Sequence, residues 1–429
     1  MLHRRQFLKQ SAALTLLTAG WNRRGWCSDT LAEELPPVRA ITRAPGHHWF
    51  GYYDKLQFDP ANTKVLGMKT NFEHRSPKPD DEIEIGYVDL SNNDQWVRLG
   101  ATTAWCWQQG CMLQWLPGSN SKVIWNERGS HHYQSRIYDL STGDSQLLDS
   151  AIYTLAPDGK SAITTDFRRL NDVRPGYGYA GLADPFKDEL IPQASGIWNI
   201  NLQTGTSELL ISIAQVAALG PSLPDMQGAK HWFNHLLINP DGSRFTFLHR
   251  WKPVNSRVAF RTRMLTARRD GSDLFVIDPS GETSHFVWRD PETITAWTKP
   301  QGKPFGFYDL RDRTAEVEAV GTAVMTVNGH NTYLTGLEAA PTAWILNDTY
   351  PDQARMQHPY LFHVPTGQRY PLGHFHSPPA YKGEWRCDNH PRSSPNGRLA
   401  CIDSPHEGNG RQLYLIDLEP VLQLYHDPA

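Results

Sequence analysis

Residues able to bind ions or move protons gather in short polar and aromatic segments that lie far apart in the chain. They are 46–49 with Tyr52, Tyr53 and Asp54; 105–109; 231–235; His330 with Asn331; and 384–390. Asp388 and His390 share one face of an extended chain, because side chains there alternate with a period of two. Together with His330 they can hold one divalent ion. A mixed nitrogen and oxygen donor set suits manganese ahead of zinc or calcium. The plain alternative is a hydrogen-bonded pair that fastens the end of the chain. His231 and His235 have the i, i+4 spacing of a helical ligand pair, yet their segment reads as the entry to a strand. For each of these two the alternative is a buried histidine bonded to a backbone carbonyl.

Arginines and tyrosines form a second group. Arg168 and Arg169 precede Arg174, Tyr177 and Tyr179 in the glycine-punctuated run RPGYGYAG, and Arg250, Arg261 and Arg263 follow. A guanidinium matches a carboxylate with two parallel hydrogen bonds. Tyrosine adds a ring face for a sugar and a proton donor. A solvated arginine edge with turn tyrosines is the competing reading. The sequence has no GxSxG elbow, no GxxxxGK[ST] loop and no dinucleotide fingerprint. Asp54, Asp166, Asp348, Glu384 and Asp388 are scattered, which leaves a glycosidase acid pair open.

These segments need a fold that gathers them. Short aromatic strands ending in a polar or acidic residue recur seven times, at 85–90, 136–140, 196–202, 273–279, 305–310, 359–364 and 412–418. Most follow a strand, a tight turn such as APDGK or NPDGS, and a second strand. The Gly or Asn of such turns supplies the positive φ that a hairpin requires. Apolar spacing on both sides has strand periodicity. The units average roughly 56 residues, against about 40 to 50 for a four-stranded blade. An all-β, seven-bladed β-propeller is expected, because stacking blades around a ring buries faces that no blade can bury alone. A double sandwich is the alternative. The spacing is uneven between the third and fifth units, which suggests an insertion followed by a trimmed fourth or atypical fifth blade. Extra residues at 168–195 and 211–230 are expected to overhang one mouth of the channel, with a short helix over 211–219. Residues 29–57 are expected to cross the ring and help close it.

Composition sets the bounds. The chain has 429 residues, with 42 Lys and Arg against 45 Asp and Glu, a net charge of −3, and 15 Trp. Near-neutral charge argues against nucleic-acid binding, and the apolar and aromatic content argues against disorder. Arg4 and Arg5 followed by a short apolar run resemble a twin-arginine export signal. That run is too short to span a bilayer. Residues 1–28 are therefore read as the signal, 29–44 as an N-terminal extension and 45–429 as the propeller. The expected location is periplasmic or secreted, with no transmembrane segment in the mature protein and an undetermined oligomeric state. Five cysteines are too few for a disulfide scaffold. Cys106 with Cys111, and Cys387 with Cys401, are close enough to pair.

The PDG hairpins at 157–159 and 240–242, the run HWFNHLLINPDG at 231–242 and the run DNHPRSSPNGRLACIDS at 388–404 resemble the oligogalacturonate lyase and TolB-like propeller group. The chain is also similar to propeller-type ulvan lyases. The first resemblance implies β-elimination on uronate-containing glycans, with a catalytic histidine and arginine and a manganese ion held by three histidines and a glutamine. It makes His235, with His231 as an alternative, the expected base. Arg250 is the expected catalytic arginine, and Tyr177 the expected acid. Arg168, Arg174, Tyr179, His48 and Arg386 are expected to bind an acidic oligosaccharide or polysaccharide. His330, Asp388 and His390 are the expected ion ligands. Asp388 stands where that pattern has a histidine, and no glutamine ligand is identified. The competing classes are a non-catalytic propeller that binds a protein or glycan partner, and a glycoside hydrolase.

Overall fold

Seven antiparallel four-stranded sheets follow one another and form a seven-bladed β-propeller. Their inner strands are His47–Trp49, Gln114–Trp115, Thr154–Leu155, Ala229–Ile238, Phe286–Asp290, Thr332–Tyr333 and Arg392–Ser393. The structure, a computed structural model of the chain, describes residues 34–221, 223–254, 259–337 and 342–424. The expected export signal and Cys27 lie outside the described residues. Among the described residues no helix is long and apolar enough to cross a membrane.

The polar residue at each strand exit has a mechanical purpose. Asp89, Asp139, Asn201 and Asp278 end strands and accept the N–H of the residue two further on, at 2.9–3.0 Å. The short side chain thereby closes the turn itself. Gly159 and Gly242, in the PDG turns, adopt φ of +66° and +75°, which an L side chain would strain.

One exit falls on a different strand from the one expected. Segment 273–279 contains the outer strand of the fourth blade, Phe275–Asp278. The third strand is Arg261–Arg268, whose arginines hide its buried Met264, Leu265 and Ala267. The uneven spacing comes from this shift. The fourth and fifth blades each keep four strands. A helix does form within the second insertion, at Ile213–Ala217, where Ser212 and Gln215 make a capping box. A second helix, Phe167–Val173, is capped by Asp166.

The ring closes by strand exchange. Val38–Ala40 pairs with Gln412–Asp417 and becomes the outer strand of the seventh blade, whose other three strands come from the C-terminal end. Large apolar side chains seal the gaps between blades. Each one fully buried contributes about 1.5–3 kcal/mol, and Trp49, Trp105, Trp107, Trp125, Trp232 and Trp251 are all essentially buried. The expected cysteine pairings are not made. Cys106, Cys111, Cys387 and Cys401 are buried free thiols. The Cys106 thiol donates to the Gly110 carbonyl at 3.7 Å, and Cys111 faces Met68 Sδ at 3.6 Å. The first two thiols are thus turned toward other neighbours.

Candidate active site and metal centre

After the inner strand of the first blade the chain turns into the centre of the ring. The N–H groups of Phe50 and Gly51 donate to the Asp403 carboxylate at 3.0–3.3 Å. Gly51 has φ +97°, and a Cβ there would stand 3.1 Å from the backbone of Gln109 and Gly110. Tyr52, Tyr53 and Asp54 follow. The Tyr53 ring lies 5.2–6.2 Å from the rings of His235, His285, His330 and His390. Those four belong to the fourth, fifth, sixth and seventh blades, so the ring gathers them around one tyrosine.

Asp348 organises two of these histidines. It accepts the backbone N–H of His330 at 2.7 Å and that of His390 at 3.0 Å, and its Oδ1 lies 2.9 Å from His330 Nδ1. A carboxylate on Nδ1 fixes the proton there and leaves the Nε2 lone pair free. The Nε2 atoms of His330 and of His390 are both buried with no hydrogen-bond partner. Ligand atoms of His330, Asp388 and His390 all lie within 4.8 Å of one another. Two orphaned imidazole nitrogens beside a carboxylate are a donor set that fits a divalent ion, since buried polar atoms are otherwise almost always satisfied. His390 is held at φ +42°, a conformation that a non-glycine residue keeps only where its surroundings impose it. Arg386 donates to Asp388 Oδ2 at 2.7 Å and to the Tyr177 hydroxyl at 2.7 Å. Burial lowers the Arg386 pKa, but Asp388 and Tyr177 outweigh it and hold the guanidinium well above its usual value.

His235 sits on a β-bulge. The register between its strand and Arg244–Pro253 shifts after Asn234, and His235 has φ +50°. Such an extra residue re-aims a side chain. Its Nδ1 lies 3.2 Å from the Tyr52 hydroxyl and its Nε2 lies 3.1 Å from Asp54 Oδ2. Burial pushes the Asp54 carboxyl up, yet Lys55, 2.9 Å away, and His235 together bring it down to about 2. Burial lowers the His235 pKa, and Asp54 offsets part of that. The ring is 1% exposed and stacks on Phe286 at 4.0 Å. Both ring nitrogens are engaged, so Tyr52 stands between His235 and open space.

That space is a cavity of about 190 Å³ lined by Tyr52, Arg174, Tyr177, Arg250, His285 and Tyr350. Arg174 stacks on Tyr177, its guanidinium carbon 3.8 Å from the ring centre, and Arg174 and Arg250 both face Phe260. Nη1 of Arg174, and Nε and Nη1 of Arg250, are buried without a hydrogen-bond partner. Unmet guanidinium donors at a cavity wall favour an anion with planar oxygens.

The structure thus brings together His235, Tyr177, Arg250, Arg174, Arg386, His330, Asp388 and His390. It places four other candidates elsewhere. His231 is buried within the fourth blade, bonded to His249 at 2.8 Å and to the Met226 carbonyl at 3.1 Å. Tyr179 stacks on Phe167 and accepts from Asn126. Arg168 clasps Asp166 beside a separate cleft with His132 and Asp149. His48 bonds Gln412 at 3.0 Å between the first and seventh blades. Sequence reading noted Tyr52 without giving it a role and Asp54 only among the acids open to a glycosidase pair, and it missed His285, whose ring is 4.1 Å from that of His330. The available signal was position, because His285 immediately precedes an inner strand.

Solved structures resemble this chain over most of its length. An oligogalacturonate lyase from Vibrio parahaemolyticus matches with a TM-score of 0.61 at 16% identity, covering 91% of this chain and 95% of that one. An oligogalacturonate lyase in complex with manganese matches with a TM-score of 0.63 at 17% identity, covering 89% and 93%. TolB from Acinetobacter baumannii matches with a TM-score of 0.38 at 12% identity, covering 70% and 61%. No protein-family model and no curated protein matches the chain. The expected likeness to oligogalacturonate lyases is therefore met among solved structures, and identity this low carries a likeness of fold.

Proposed function

We propose that this chain is a lyase that cleaves uronate-containing glycans by β-elimination. The observation that carries the reading is the pair Arg174 and Arg250, with unmet donors at a cavity wall shared with Tyr52, while the Asp54–His235 pair stands behind Tyr52. The substrate carboxylate pairs with the two guanidinium groups. The Tyr52 oxygen takes the proton from the carbon next to the carboxylate, while the Tyr52 hydroxyl proton passes to His235 Nδ1. Asp54 stabilises the imidazolium through Nε2–H. The released electron pair moves toward the carboxylate and then forms the carbon–carbon double bond as the glycosidic oxygen departs. Tyr177 gives that oxygen a proton, and Arg386 beside it stabilises the phenolate left behind. Solvent then takes the extra proton from His235 and returns one to the Tyr177 phenolate.

A divalent ion, manganese ahead of zinc or calcium, would be held by His330, Asp388 and His390 and would supply positive charge against the carboxylate as it gains electron density. The unmet guanidinium donors of Arg174 and Arg250 support an acidic oligosaccharide or polysaccharide as substrate. We further propose export by the twin-arginine route, which an Arg4→Lys, Arg5→Lys variant retained inside the cell would support. The activity is tested by ultraviolet absorbance of an unsaturated uronate product from polygalacturonate or ulvan with manganese supplied. Absence of product from every uronate polymer tried overturns the reading. Binding without cleavage would make the chain a glycan-binding propeller.

A further inference from the structure

We propose that the sixth blade carries a second transition-metal site, at the surface, formed by His358 and His374 and oriented by Asp352. It does not depend on the lyase reading. Outside the four strands of that blade, Met356–Gln357 and Phe375–His376 form a short antiparallel ladder with Met356 opposite His376 and Gln357 opposite Phe375. One step further along this register His358 faces His374. Facing residues in such a ladder have Cβ atoms about 4.5–5.5 Å apart, which lets two imidazoles converge. They do so here, with the two Nδ1 atoms 2.7 Å apart.

The other nitrogen of His358 explains the orientation. His358 Nε2 lies 3.1 Å from Asp352 Oδ2, and Asp352 Oδ1 accepts the Met356 N–H at 2.8 Å. A carboxylate on Nε2 puts the proton there and turns the Nδ1 lone pair toward His374, the arrangement by which carboxylates orient metal-binding histidines. The His358 backbone N–H is anchored on Thr349 Oγ1 at 3.1 Å, next to Asp348. The His358 and Asp352 side chains are 24% and 45% exposed, so water can complete the coordination. Two zinc–nitrogen bonds of about 2.0–2.1 Å at a tetrahedral angle separate their nitrogens by about 3.3 Å, a small opening of the present contact. Imidazole donors select zinc, copper(II) or nickel over manganese or calcium.

The competing arrangement is a plain N–H···N hydrogen bond between the two rings. Equilibrium dialysis of the full chain against Zn²⁺ decides between them. The His374→Asn variant is expected to bind one equivalent fewer than the parent protein, and His390→Asn to leave the His358–His374 equivalent in place. With Cu²⁺, nitrogen hyperfine structure from the pair should vanish in His374→Asn and in His358→Gln, and the second variant guards against a fold defect in the first. Asp352→Asn should weaken the site about 10–100-fold. Unchanged zinc stoichiometry in both histidine variants overturns the proposal, and unchanged affinity in Asp352→Asn removes Asp352 from it.

Discussion

His48 and His330 stand near inner strands of the first and sixth blades, which only the seventh separates in the ring, and both are buried, yet their rings meet different ends. His48 places Nδ1 on Gln412, and neither of its ring nitrogens is left buried without a partner. His231, in the fourth blade, is bonded at both nitrogens. His330 and His390 each keep an orphaned Nε2 beside Asp388. Burial alone therefore does not separate a structural histidine from a candidate ligand. The deciding fact is whether the protein itself satisfies the second nitrogen, because a buried lone pair without a partner costs about 1–3 kcal/mol.

The widest gap between the two regions should appear on removing Tyr52 or Arg250. Tyr52→Phe and Arg250→Ala should each lower formation of the unsaturated product about 10²–10⁴-fold. His48→Gln should keep that activity within a few-fold, as steady-state rates on polygalacturonate would show. Next comes the ion. Manganese at about 100 times its dissociation constant should stabilise the protein by about 2.7 kcal/mol in thermal unfolding. His330→Gln should lose that shift and His48→Gln should retain it, and a shift of equal size in both variants would break the contrast. Asp348→Asn should weaken ion binding about 10–100-fold by freeing the His330 ring, measured by calorimetric titration.

The smallest effect is on pH dependence. Burial lowers the pKa of His48 and of His231 from 6.5 to about 4. Folding thus favours their neutral forms. Their contribution to stability is complete above about pH 6.5, falls as the pH drops toward 4 and levels off below that. Melting temperatures between pH 7 and pH 4 should decline less steeply in His48→Gln than in the parent protein.

The ring was legible because its repeats are local. A strand that ends in Asp or Asn and a turn that needs glycine leave marks within a few residues, as at Asp139 and Gly159. The fourth blade misled for the same reason. Its third strand carries arginines whose partners lie elsewhere, such as Arg263, which donates to the Val216, Leu219 and Pro221 carbonyls. The candidate ion triad was readable from the period-two spacing of Asp388 and His390 and from His330 as a further ligand-type residue. Tyr52 was seen without a role, because its partner His235 is 183 positions away and is turned toward it by a bulge.

The amino-acid order by itself determined the blade count, the hairpins and the chemical types available at the strand entrances, since alternation and turn preference act between neighbours along the chain. Tertiary structure alone decided which histidines keep an open nitrogen, which arginines lack partners, and that four cysteines stay apart. Those outcomes depend on what ring closure sets opposite each side chain, and residues hundreds of positions distant supply the hydrogen bonds that make or withhold a site.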